Sequence, residues 1–349
     1  SPSQRCLDRF SILDDAAEDE NGLVQFWPLL QKILEQTIGT PTDLVDMLDT
    51  ISNTLRGSSG PAGDYGTLKQ VTQTVGPHFF SRTWPAIVRM ALRLPEFFPG
   101  GKLEPLKPER RLKLSTDQVA GLVAHQFLCT LDAPSWRGDF YDFSIWYDSS
   151  QRHPAAVEMY LQALFTYFDH LYVAEDVAGQ EDRPQPGVET NASGGVVEYS
   201  LHSLDQHGNS IRLSSWKDSP LGPAKVVNVE SYSTEQQERR WQGSNGAVVI
   251  SANKDIGFGQ SATQEELFVG NCPEACPVVL VTPTLRGEQV LVVEGARPML
   301  RIQGQRRQIS WSYLAPDDRR RSDRDGGGGG RMLFMDALEI DELDASDGT

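Results

Sequence analysis

The chain has 349 residues, too many for one simple core, so two domains or one large α+β domain with insertions are expected. A net charge of −16 is the wrong sign for holding a polyanion by bulk attraction, which disfavours nucleic acid as a general partner. No apolar run is long enough for a transmembrane helix, and the first residues lack the basic-then-apolar pattern of a secretory signal.

The first half reads as helical. In "GTPTDLVDMLDTISNTL", Thr40 is the N-cap, Pro41 opens the helix and Asp43 lies in its first turn, with Leu44, Leu48, Ile51 and Leu55 on one face. "RGSSGPAGD" is a loop. "WPAIVRMALRLP" places Ile87, Met90, Ala91 and Leu94 on one stripe and ends at Pro95. "LSTDQVAGLVAHQFLCT" carries a capping box, Ser115 with Gln118, ahead of a buried face of Val119, Leu122, Val123 and Phe127. His125 within it reads as a satisfied core residue. "HPAAVEMYLQALFTYFDHL" turns Val157, Leu161, Leu164, Phe165 and Phe168 inward.

From Ala174 to Gly195 the chain is polar and rich in Pro and Gly, as in a long surface connection. Short β-type runs follow: "VVEYSL", "SIRLSS", "KVVNVES", "AVVISA", "PVVLVT" and "QVLVVEG". The first two flank a hairpin-like "HSLDQHGN", and "VVLVT" and "VLVV" are apolar on both faces, as central strands are. "RRQISWSY" reads as strand and core. Asp317 to Gly330, with five glycines in a row, reads as a disordered loop, and "RMLFMDALEIDELD" as a last strand and a helix start. The organisation expected is a helical domain over 1–175 and a sheet domain over 176–349. Of the four cysteines, only Cys272 and Cys276 stand close, and no second pair has zinc-finger spacing, so free thiols and no metal are expected.

Two blocks carry a resemblance. The helical segments "FFSRTWPAIVRMALRLPEFF", "PLKPERRLKLSTDQVAGLVAHQFLCTL" and "AVEMYLQALFTYFDHL" resemble the accessory domain of poly(ADP-ribose) glycohydrolases. "ANKDIGFGQSATQEE" resembles that family's glycine-loop and "QEE" signature, and "MLFMDALEID" its following strand, with wording nearest the fungal branch. The resemblance implies an α+β chain: a helical accessory domain, then a macrodomain-like mixed sheet with helices on both faces. It implies hydrolysis of the ribose–ribose O-glycosidic bonds of poly(ADP-ribose) with release of ADP-ribose, without cofactor or metal. ADP-ribosylated proteins would be partners, direct DNA and membrane binding would not be expected, and the setting would be the DNA damage response in nucleus and cytoplasm.

Breaking a ribosyl bond passes through an oxocarbenium-like state while a proton is delivered to the leaving oxygen, a task suited to a carboxylic acid. Glu265 and Glu266 are neighbours and cannot point the same way, so they are not the facing acid–nucleophile pair of an ordinary glycosidase. By resemblance, Glu266 is the general acid and then the base that activates water, and Glu265 bonds ribose hydroxyls. Gln264 and Asn253 would fix the substrate from the sides, and Gly257 and Gly259 would let backbone amides approach the diphosphate and ribose. A helix opening at "QEE" lowers a carboxyl pKa in its first turn, whereas neighbouring negative charge raises it.

The sequence departs from the family pattern at Phe258, which stands where the family has the middle of three glycines and would narrow the cleft or stack on a ribose. The family's second glycine-rich loop has no counterpart after Leu338, so the chain is expected to lack the C-terminal part of the macrodomain. The alternative reading is a non-catalytic ADP-ribose-binding or scaffold protein; the intact "QEE" favours the enzyme.

Overall fold

A computed structural model describes residues 26–56, 63–108, 110–180, 195–203, 247–304, 308–314 and 330–337. The expected strands at 210–215 and 225–231, nearly all of the glycine-rich loop, and the segment after 337 lie outside the described residues.

Six of the helices precede most of the sheet. They are α1 (Phe26–Leu34), α2 (Pro41–Ile51), α3 (Gly66–Val75), α4 (Trp84–Leu92), the single turn α5 (Leu94–Phe97) and α6 (Thr116–Phe127). A seventh, α7 (Pro154–Gln180), leads to the sheet half. Thr40 caps α2 in a full capping box with Asp43, and Ser115 does the same for α6 with Gln118. Pro95 does not end α4. The break falls at Arg93, and Pro95 sits in the first turn of α5, where its missing N–H costs nothing. The predicted inward faces of α2, α4, α6 and α7 are all buried. His125 is a core residue: Nε2 donates to the Ala91 carbonyl (2.9 Å), Nδ1 meets the Thr130 hydroxyl (2.6 Å), and burial pushes its pKa down to about 4.

Two expectations need correction here. α7 runs to Gln180, past the expected break at Ala174, because residues 174–180 contain no proline and only one glycine, and Pro184 is the first strong breaker. "VVLVT" is not a strand: Val278–Val281 form one helical turn, α9, entered at Pro277 and buried on every side. A short apolar run with no polar alternation marks burial without choosing between helix and strand.

The sheet has five strands in the order β1 (Arg111–Ser115), β2 (Val196–Ser203), β4 (Gln289–Glu294), β7 (Arg331–Asp336) and β3 (Ala247–Ala252). All neighbours are antiparallel except β3 and β7, which run parallel. Registers align Ile250, Phe334, Leu291 and Leu201 in one buried row across four strands. α6 packs on β1 and β2, α8 (Gln264–Asn271) packs on β3, and α7 packs against α8. One hydrophobic core runs from Leu30 in α1 to Phe334 in β7.

β1 lies within the helical half yet forms the sheet's edge. Arg111 and Lys113 on β1 both pair with Glu198 on β2, at 2.8 and 3.3 Å. A separate hairpin, β5 (Leu300–Gln303) and β6 (Ser310–Tyr313), carries the predicted "SWSY" strand.

Candidate active site

The parallel strands β3 and β7 end side by side, and the residues just past them, Asn253 and Ala337, open onto a cleft of about 690 Å³. In a sheet with parallel strands, the space beyond the carboxyl ends is where ligands bind, and this volume suits a nucleotide. From Asn253 the chain runs through the glycine loop to Thr263, the N-cap of α8. Thr263 makes a capping box with Glu266: the Glu266 amide donates to the Thr263 hydroxyl (3.3 Å), and the Thr263 amide to Glu266 Oε2 (3.1 Å). The box sets the direction of both glutamates.

Glu265 turns inward and is 3% exposed. Its Oε1 accepts from the Gly257 amide (2.6 Å) and Oε2 from the Asn253 amide (2.9 Å). Burial pushes its pKa up to about 7, against the pull of these amides and of Arg137; the Glu266 charge pushes the same way as burial. Glu266, one residue on, is half-buried and lies in the cleft wall, its Oε1 beside Gly259. The two carboxyls therefore diverge as adjacent residues on a helix must: that of Glu265 is buried against the glycine-loop amides, that of Glu266 lies beside Gly259, and both border the cleft.

Asn253, Gly257, Phe258, Gly259, Glu265 and Glu266 all line the cleft. Gln264 does not: its Oε1 accepts from the Ser251 amide (3.1 Å), tying α8 to β3. The Gly257 amide is committed to Glu265, so this glycine serves the carboxylate directly. A Cβ there would come within 2.9 Å of Val279. Phe258 is 3% exposed and packs on the rings of Phe143 and Trp146, at 4.9 and 5.1 Å, as part of the cleft wall. Sequence reasoning missed the residues that reach the loop from the helical half. Trp146 Nε1 donates to the Gly259 carbonyl (2.9 Å), Arg137 Nη2 to the Ile256 carbonyl (2.9 Å), and Gln260 bonds the Ile145 carbonyl. Only an aromatic-rich stretch, "WRGDFYDFSIWY", marked that region.

Five acids, Asp139, Asp255, Glu265, Glu266 and Asp336, face the cleft with Arg137 and Lys254 as its basic residues. Two predictions arise from this geometry. A Cβ at Gly259 would fall on the Glu266 carboxyl. That group is the end of a flexible side chain and swings aside, so Gly259→Ala is expected to melt within a few degrees of wild type yet lose about 100-fold in turnover. Parallel melting and activity assays check it.

The second prediction concerns pH. The Glu265 pKa is higher folded (about 7) than unfolded (about 4.5), so its stabilising contribution is complete below pH 4.5 and is lost as pH rises through 7. Relative to Glu265→Gln, wild type should give up about 3 kcal/mol across that window. Denaturation at pH 5 and pH 8 measures it, and equal pH slopes for the two proteins would contradict it.

A helical layer, a mixed sheet and a carboxylate-bearing glycine loop at the sheet's carboxyl edge define an α+β protein with a nucleotide-sized acidic cleft. Residues 71–192 match the family model described as poly(ADP-ribose) glycohydrolase (PARG), helical domain, and residues 214–347 the one described as poly(ADP-ribose) glycohydrolase (PARG), Macro domain fold. Together the two matches take in more than half of the chain, in the order the folded halves occur, and the chain belongs to the poly(ADP-ribose) glycohydrolase family. No curated protein matches it.

Proposed function

We propose that this protein hydrolyses the ribose–ribose O-glycosidic bonds of poly(ADP-ribose) and releases ADP-ribose, with Glu266 as general acid and base. The observation that carries this reading is the placement of the Glu266 carboxyl in the cleft wall against Gly259, with Glu265 fixed behind it. Protonated Glu266 gives its proton to the bridging oxygen as the bond to the anomeric carbon breaks. The resulting carboxylate then takes a proton from the water that adds to that carbon, which restores the acid. Glu265 is held by two amides and serves to orient ribose hydroxyls. Asn253 at the cleft rim contacts the substrate from the side, and Phe258 supplies a rigid wall for it. ADP-ribosylated proteins are the carriers from which the polymer is taken.

The test uses one preparation of the protein. ADP-ribose is titrated calorimetrically, and ADP-ribose release from polymer is assayed on the same sample. Binding together with release supports the enzyme. Binding without release assigns the chain to the non-catalytic ADP-ribose readers.

A further inference from the structure

The helical half grips the glycine loop at several points, and one of them carries a charge. Arg137 lies on the segment between α6 and α7. Its Nε donates to the Asp139 carbonyl (3.0 Å), and its Nη2 to the Ile256 carbonyl (2.9 Å). That carbonyl belongs to the same peptide group as the Gly257 amide, which donates to Glu265 Oε1 at 2.6 Å. A single peptide plane is therefore held at both ends, by a guanidinium on its oxygen and a carboxylate on its hydrogen. A cation on the carbonyl polarises the peptide and strengthens the bond its N–H makes. The segment is itself anchored: the Gly138 amide donates to the Thr284 hydroxyl (3.2 Å), which donates to Asp255 (2.6 Å).

Arg137 is kept there at a cost. Burial works against its charge, opposed by Asp255, Glu265 and Asp139, and its Nη1 is buried without a hydrogen-bond partner among the described residues. A residue needed only to join two loops has no reason to be a buried cation.

We propose that Arg137 is a positioning residue for the reaction, acting through the Ile256–Gly257 peptide to hold the Glu265 carboxylate in place. This rests on the reading of Glu265 as the group that orients ribose. Glu265 also feels the charge of Glu266, its neighbour on α8, and Asp139, Asp255, Lys254 and Asp336 stand around the cleft. Among these, Arg137 is the cation that favours the ionised form of Glu265.

The experiment compares Arg137→Gln and Arg137→Lys with wild type in the full chain. Two readings are taken: the pH profile of ADP-ribose release from polymer, and the pH dependence of stability, each variant measured with and without Glu265→Gln. Arg137→Gln is expected to lower kcat about 100-fold with little change in KM. It should also move both the acid limb of the profile and the Glu265-dependent step in stability up by about one pH unit. Arg137→Lys should return the step towards its wild-type position while leaving kcat low, because an ammonium lacks the planar fork. Loss of rate with limb and step unmoved would make Arg137 a merely structural link and overturn the proposal. The stability step reads Arg137 without turnover: if wild type releases no ADP-ribose while Arg137→Gln still shifts the step, the catalytic reading is refuted and the clamp on Glu265 is upheld.

Discussion

Glu266→Gln is expected to reduce ADP-ribose release from polymer by about 10³-fold or more while ADP-ribose still binds. The variant is a clean one for a local reason. Glu266 closes the capping box of α8 with Thr263, and a glutamine at this position closes the same box, its amide oxygen accepting from the Thr263 N–H. The helix start, the loop and the cleft are therefore preserved, and what is lost is a proton that can be given and retaken. Calorimetry with ADP-ribose and a polymer-release assay on the purified variant separate the two quantities. Release within tenfold of wild type, or loss of release and binding together, would remove Glu266 from the proposed role.

Arg297→Met should destabilise the fold by about 3–5 kcal/mol, because it breaks an ion pair whose carboxylate is buried. Its partner Glu274 is fully buried between α8 and α9. Arg297 Nη2 donates to Glu274 Oε1 (2.9 Å) and the Arg297 amide to Oε2 (2.9 Å). Removing the guanidinium leaves a carboxylate in the core with, among the described residues, the Arg297 amide as its donor, which costs far more than an exposed pair is worth. Urea denaturation measures the loss, and a change under 1 kcal/mol would contradict it. The Glu274 backbone carbonyl also accepts from the Tyr199 hydroxyl of β2, so this corner ties the helices behind the site to the middle of the sheet.

Much of this molecule was legible in its sequence where local rules suffice. Thr40 with Pro41, and Ser115 with Gln118, are caps written in adjacent residues, and the helices begin where those residues stand. "AVVISA" and "QVLVVEG" are strands because their branched residues pack on a half-buried surface. Local rules failed where burial alone decides. "VVLVT" is buried at all four of Val278 to Val281 and folds as a helical turn, a choice that an unbroken apolar run does not encode. β1 is five residues long and directly abuts the Ser115 cap, so the helix signal hides it. The glycine loop and both glutamates were legible as a signature, and the structure brings six of the seven expected site residues to one cleft. Trp146 and Arg137 were not, because each acts on a carbonyl more than a hundred positions along the chain. Nothing in their own neighbourhood encodes that contact.

The position of β1 has a practical consequence for dissecting the protein. A cut that frees the sheet from the preceding helices takes away the strand that covers Val196 to Ser200 of β2, leaving the backbone donors and acceptors of that stretch open along one margin. Bare margins of that kind recruit other chains, so the excised piece is expected to self-associate rather than stay monomeric. The same cut removes Arg137 and Trp146, so the glycine loop would lose its tethers together with its solubility.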